Sequence, residues 1–180
     1  MFVLIVACIP AYNEERDLGV VIIKTSKFVD KIIVCDDGST DLTSEVAKRL
    51  DCDVIIHKKR LGKGVALKDL FQRALDIGGE IIVTLDGDGQ HYPEEIPSLV
   101  EPILTGDSDI VNGSRFINES SDVPFHRNVG NSVLTSFTSL LSDESFKDLT
   151  DSQSGIRAYS RKVLEYVKVK EQGMAVDSEI

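Results

Sequence analysis

Cysteine is scarce in this chain: Cys8, Cys35 and Cys52 are the three thiols in 180 residues. Their spacing matches no metal site, and the odd number leaves no complete disulfide framework. Cys8 and Cys35 sit inside apolar runs, where a thiol is usually a small buried hydrophobe, and the set suits a reducing cytoplasm. Positive charge is short as well. Twenty Lys and Arg against 30 Asp and Glu give a formal net charge of −10, which excludes a global field drawing the chain to nucleic acid or anionic lipid. A phosphate-bearing ligand therefore needs local basic groups or a metal ion. No apolar run reaches the ~18 to 20 residues of a membrane-spanning helix. Internal repeats, low-complexity tracts and domain linkers are missing too, so one domain with a sizeable core is expected. The opening MFVLIVACIPAYNEE lacks a basic leader and is expected to form a first strand rather than a signal peptide.

What is present is an alternation. With 42% hydrophobic and 28% charged residues the composition is that of an ordinary globular protein. Nearly continuous apolar runs at 2–9, 31–36, 53–57, 80–86 and 109–114 predict strands covered on both faces of a largely parallel sheet. Between them, helical spacing predicts helices near 15–28, 41–50, 63–77 and 93–104. Leu67, Leu70, Phe71, Ala74 and Leu75 carry the third, and Gly78–Gly79 stops it. Pro93 followed by Glu94 and Glu95 is a first-turn pattern for the fourth. Beyond residue 115 a polar loop over 117–128, a helix over 129–142, a strand within 154–160 and a helix over 161–167 are expected. Strands alternating with helices predict a layered α/β fold.

In such sheets ligands bind outside the carboxyl ends of the strands, and here each strand ends in polar chemistry. PAYNEE follows the first, DDGSTD the second, KKRLGKG the third, DGDGQ the fourth and GSRF the fifth. In DGDGQ, two carboxylates on a glycine-rich turn suit a hard divalent cation that shares its shell with substrate phosphates. An acidic turn capping a helix is the alternative; a calcium loop is excluded, because His91 and Pro97 occupy the positions that need Gly and Glu. In DDGST, Ser39, Thr40 or Asp41 can cap the next helix, which leaves Asp36 or Asp37 spare for a ribose hydroxyl or base edge. RLGKGVA fits neither the Walker nor the dinucleotide pattern, yet its glycine backbone with Arg60 and Lys63 can approach an anion, or can be a solvated basic turn. Arg115, Arg127 and Arg157 are candidate phosphate forks or surface ion-pair partners. His57, His91 and His126 share no spacing and are read as structural.

Six pieces in series, IPAYNEE (9–15), VCDDGSTD (34–41), RLGKGVAL (60–67), LDGDGQHYPEEI (85–96), NGSRF (112–116) and TDSQSGIRAYSR (150–161), resemble a family-2 glycosyltransferase, and within it the dolichol-phosphate mannose synthase and polyprenyl-phosphate glycosyltransferase branch. The resemblance covers almost the whole chain. It implies the GT-A fold, a Rossmann-like three-layer αβα sandwich with a mostly parallel central sheet, as a single catalytic domain over 1–180. The family pattern continues past Ile180 with a further strand, so either the chain is shortened at its C-terminus or its acceptor side is incomplete.

The same resemblance implies site residues. Pro10, Tyr12, Glu14, Asp37, Lys63 and Asp86 would bind the nucleotide, and Asp86, Asp88 and Gln90 would hold Mg²⁺ or Mn²⁺. Arg115 and Arg127 would face the acceptor phosphate or leaving group. Asp151 and Gln153 would line the sugar pocket and, with Asp88 and Arg115, are the catalytic candidates. The implied reaction is inverting transfer of a hexose, mannose or glucose, from a GDP- or UDP-sugar to a polyprenyl (dolichyl) phosphate. Such an acceptor is already anionic and attacks without a general base; Asp151 would be the base for a hydroxyl acceptor. Transfer to a glycan or other hydroxyl, and a noncatalytic nucleotide-sugar binder, stay open beside it. A nucleotidyltransferase is disfavoured, because PAYNEE stands where a glycine-rich activation loop belongs. The expected location is cytoplasmic with peripheral contact at the membrane face, and no nucleic-acid partner is expected. Residues 129–141 read as a helix on the sheet or as an element near a membrane, while the acidic composition argues against a polybasic anchor.

Overall fold

The computed structural model describes residues 3–113 and 156–166. Along them run β1 Ile5–Ala11, α1 Leu18–Thr25, β2 Lys31–Asp36, α2 Thr43–Arg49, β3 Asp53–Ile56, α3 Lys63–Asp76, β4 Ile81–Thr84, α4 Ile96–Leu104, β5 Ile110–Asn112, β6 Arg157–Ser160 and α5 Arg161–Tyr166. The strands form one sheet in the order β3-β2-β1-β4-β6-β5. Strands β1 to β4 pair in parallel, and β6 is antiparallel to both β4 and β5.

The apolar runs are continuous because both faces of the sheet are covered. Alternate residues point to opposite sides. Ala7, Ile9 and Ala11 of β1, Ile32 and Val34 of β2, and Ile81 and Val83 of β4 pack with α1, α2 and α4 in one core. Their neighbours Val6 and Cys8, Ile33 and Cys35, and Ile82 pack with α3 and Leu164 of α5 in the other. Of the stripe expected on α3, Leu67, Leu70, Phe71 and Ala74 are buried against the sheet with Ala66 beside them, Leu75 is only partly buried, and Phe71 meets Tyr159 edge to face at 5.5 Å. Three layers result, with a mostly parallel sheet in the middle.

Several boundaries differ from the sequence reading, each for a physical reason. Strand β1 runs on through Pro10 to Ala11 instead of ending at residue 9. The Cys8 carbonyl accepts from Leu85 and the Ala11 carbonyl from Asp37, so β1 alternates between its two neighbours, and Pro10 falls on the β4 side. Its missing N–H ends that ladder, and β1–β4 pairing stops at Cys8–Thr84 while β1–β2 pairing continues to Ala11–Asp36. Helix α1 starts at Leu18, not near 15; residues 15–17 form a turn in which the Asp17 and Leu18 amides donate to the Glu14 carbonyl. The fourth helical segment opens as a 3-10 turn over Pro93–Glu95. Strand β6 runs over Arg157–Ser160, residues 154–155 of the expected strand lying outside the described residues, and it slots between β4 and β5. The loop over 117–128 and the helix over 129–142 lie outside the described residues. Among the described residues no helix is long and apolar enough to cross a membrane.

Candidate active site

Chain direction puts the loops after β1, β2, β3 and β4 at one rim of the sheet. The strand order reverses between β1 and β4, since β1 leads on to β2 and β3 on one side while β4 lies on the other. That is the switch point at which open α/β sheets bind ligands. Pro10 ends the β1–β4 ladder there, and after the Leu85 amide bonds the Cys8 carbonyl the chain carries Asp86, Gly87 and Asp88 along the lip. A Cβ added at Gly87 would meet Leu18, Ala11 and Ile9 side chains at 3.4 to 3.6 Å, ordinary contact, so this acidic turn lies close over the end of β1.

The loops after β1 and β2 are stitched together. Asn13 accepts from the Thr40 amide at 2.9 Å, and its own amide donates to Ser39 Oγ at 2.9 Å. The Glu14 amide donates to Thr43 Oγ1, and the Leu42 amide to Glu15. Asp41 accepts from the Thr43 amide at the start of α2, although the N-cap position itself is Leu42 and not one of the residues expected there. Neither acid of the Asp36–Asp37 pair is spare, contrary to the sequence reading. Asp36 Oδ1 accepts from the Ser39 amide at 2.8 Å. Asp37 Oδ1 accepts from the Leu61 amide at 2.8 Å and from His57 Nδ1 at 2.7 Å, and Asp37 Oδ2 accepts from the Gly62 amide at 2.8 Å. Burial pushes the Asp37 carboxyl up, but these three donors hold it below the ordinary carboxylate value. Asp37 thus fastens the basic turn after β3 to the end of β2. Arg60, from that turn, lies over the Tyr12 ring at 4.3 Å, a cation–π contact.

The acidic turn has the opposite problem. Lys63 Nζ lies 3.2 Å from Asp86 Oδ1, and buried His91 holds its Nε2 3.6 Å from Asp86 Oδ2. Burial raises the Asp86 carboxyl, while His91 and Lys63 overcome it and leave it low. Asp88 is half-buried and accepts through Oδ1 from the Gln90 amide at 2.9 Å. Its charge is felt at Glu14, whose carboxyl is raised by burial and then by Asp88, Asp17, Asp41 and Asp86. Carboxylates converge here, and Glu14, through burial first and these neighbours next, resists ionisation.

That donor set fits a hard divalent cation. All its members are oxygens, and Asp88 keeps acceptor capacity beyond its one backbone bond. Among the described residues no group of three His, Cys, Asp or Glu side chains stands ready to hold an ion; Mg²⁺-type ions take one or two carboxylates and complete their shell with water and substrate phosphate.

Of the residues singled out from sequence, the rim brings together Pro10, Tyr12, Glu14, Lys63, Asp86, Asp88 and Gln90. Asp37 sits behind them. Arg115, Arg127, Asp151 and Gln153 lie outside the described residues. Arg157 is buried on β6, not a surface ion-pair residue. His57 and His91 were missed as site residues. They are 20 and 5 residues from the acids they face, and only the place of His57 directly after β3 hinted at it.

The chain matches the glycosyl transferase family 2 model over residues 6–167. It is 35% identical over 181 residues to a UDP-N-acetylglucosamine–dolichyl-phosphate N-acetylglucosaminyltransferase of Methanococcus voltae, covering 89% of this chain and 71% of that protein. It is 31% identical over 180 residues to a polyprenol monophosphomannose synthase of Mycolicibacterium smegmatis, covering 94% and 65%. Mycobacterium tuberculosis glucosyl-3-phosphoglycerate synthase, solved with Mn²⁺, UDP-glucose and phosphoglyceric acid, superposes with a TM-score of 0.68 at 28% identity, over 97% of this chain and 62% of that one. The same enzyme has also been solved with Mg²⁺ and UDP. The chain therefore spans roughly two thirds of the length of these proteins, and over that span it belongs to glycosyl transferase family 2 and has the GT-A fold.

Proposed function

We propose that this chain is the catalytic domain of an inverting, metal-dependent glycosyltransferase that moves a hexose from a GDP- or UDP-sugar to a polyprenyl phosphate. The observation that carries the reading is the crowding of Asp86, Asp88 and Glu14 at the switch-point crevice, with Lys63 beside them. One relative is named for dolichyl phosphate as its acceptor and another for a polyprenol monophosphomannose product, and a structural neighbour was crystallised with a nucleotide sugar and Mn²⁺.

Asp86 and Asp88, helped by Gln90, would hold Mg²⁺ or Mn²⁺, which when bound neutralises the diphosphate and acts as a Lewis acid for its departure. The protein's own residues do the rest. Pro10, Tyr12 and Glu14 on the β1 loop flank the nucleotide, and Lys63 supplies a cation beside the phosphates. Arg115 and Arg127 would receive the acceptor phosphate, with Asp151 and Gln153 against the sugar. An acceptor phosphate oxygen bonds to the anomeric carbon as the bond from that carbon to the nucleotide's distal phosphate breaks. Configuration inverts, and the nucleoside diphosphate leaves. The nucleophile is an anion at neutral pH, so no side chain has to remove a proton.

A small phosphorylated hydroxyl acceptor is the second reading, favoured by the phosphoglyceric acid in the neighbouring structure. Released nucleotide, measured with polyprenyl phosphate, phosphoglycerate and free sugars in parallel, separates them. The proposal expects turnover with the lipid phosphate alone. Turnover only with a hydroxyl acceptor overturns the lipid assignment, and no turnover with any acceptor overturns the catalytic one.

A further inference from the structure

Away from the metal-holding acids, one buried histidine is tied into the nucleotide rim by groups that the proposed chemistry does not use. His57 is 9% exposed and follows directly on β3. Its Nδ1 lies 2.7 Å from Asp37 Oδ1, and its Nε2 lies 3.0 Å from Asp69 Oδ2 on α3. A neutral imidazole has one N–H and one bare nitrogen. Here it would press that bare nitrogen against a carboxylate oxygen at hydrogen-bond distance. An imidazolium donates to both.

The consequences run outward through Asp37. The same oxygen that takes the His57 proton also accepts the Leu61 amide, and its partner oxygen accepts the Gly62 amide. These amides belong to the turn that ends in Arg60 over Tyr12 and Lys63 against Asp86. The chain of contacts is therefore Asp69, His57, Asp37, the 60–63 turn, and the side chains proposed to meet the donor.

We propose that His57, held as an imidazolium between Asp37 and Asp69, is a positioning residue for the donor nucleotide, setting the 60–63 turn through Asp37. The role rests on the donor-site reading given above. The groups facing the ring are Asp37 from the end of β2, Asp69 from α3, and the Cys35 thiol of β2 at 3.6 Å from Nε2. Burial first, then its acidic neighbours, push that thiol up to about 12, so it stays neutral. Lys58, Lys59 and Arg60, the cations next in the chain, are exposed.

Burial alone would lower the imidazole, but its hydrogen bonds to Asp37 and Asp69 leave it above its ordinary value. The hold it provides is complete below the free-imidazole value and is lost as pH rises through the higher folded value. Asp37 is depressed, so its contribution is complete above the free-carboxylate value and is lost as pH falls through its folded value. Donor affinity should therefore fall on the alkaline side with His57 and on the acid side with Asp37.

The test joins ¹⁵N NMR of the His57 ring with titration of GDP and UDP in the presence of Mn²⁺. Expected are two protonated ring nitrogens in the wild type at neutral pH, and an alkaline loss of nucleotide affinity that tracks the ring's titration. His57→Gln should weaken nucleotide binding by about 10- to 100-fold, raise the donor KM far more than it lowers kcat, and remove the alkaline limb. Asp69→Asn should move that limb to lower pH. A single N–H tautomer at neutral pH in the wild type overturns the proposal, whatever the variants do. So does a His57→Gln protein that binds nucleotide as tightly as the wild type. A wild type with a clear imidazolium that binds neither GDP nor UDP overturns the donor-site reading instead, and this role with it.

Discussion

Asp88→Ala lowers sugar transfer by at least about a thousandfold while leaving the protein as stable as the wild type or slightly more so. The two halves of this expectation have one cause. Asp88 contributes nothing to either core; its carboxylate accepts one amide, from Gln90, on an exposed turn. In the ligand-free protein it burdens its surroundings, since together with burial it keeps the Glu14 carboxyl above its ordinary value. Removing it relieves that repulsion. In the proposed transfer the balance would reverse, because the departing diphosphate concentrates negative charge and needs a cation held against it. A site whose charges conflict until the ligand arrives is the usual form of a stability–function trade-off. Transfer to polyprenyl phosphate and the thermal midpoint, measured on the same preparation, check both halves. Undiminished turnover removes Asp88 from the chemistry, and a collapse in the midpoint makes it a structural acid.

Gly38→Ala is expected to damage stability most among single changes at the rim, by on the order of 3 kcal/mol. Gly38 has φ +76°, and a Cβ there would sit 2.5 Å from the Lys59 carbonyl carbon and 2.7 Å from the Arg60 nitrogen. Those are backbone atoms, and they cannot swing aside as a side chain would. The loops after β2 and β3 must part, pulling Leu61 and Gly62 away from Asp37. Gly106 is the natural control. Its φ is +79° but nothing lies within 4 Å of the added carbon, so Gly106→Ala meets only the dihedral cost, about 1 kcal/mol. Denaturant unfolding of the two variants side by side isolates the close approach. Equal losses would mean that the loops are not held together as described.

The sequence revealed the layers and the rim, and it did so through periodicity. Unbroken apolar strands implied cover on both faces, the α3 stripe named its buried residues, and polar clusters at successive strand ends pointed to one edge. Strand direction at the far edge was not legible. Tyr159 and its neighbours form a run too short to say which way it travels, and their partners in β4 are some 75 residues earlier, so the place of β6 between β4 and β5 could not be read. The use of each acid was also hidden. Asp36 and Asp37 are adjacent in sequence, yet one closes its own turn while the other reaches across to the turn after β3, a choice made by the parallel pairing of β2 with β3. His57 was unreadable for the same reason, because it is defined by Asp37 and Asp69, 20 positions before it and 12 after. Pro10, beyond the expected end of the first strand, lies within it and breaks only one of two ladders, the one facing β4.

The most direct test of the central claim, that the paired acids at the end of β4 bind a nucleoside diphosphate through a divalent ion, is calorimetric titration of GDP and UDP into the wild-type protein with Mn²⁺ and again with excess chelator. The account predicts that one of the two nucleotides binds at least about tenfold tighter with the ion present. Equal affinity in chelator would contradict it.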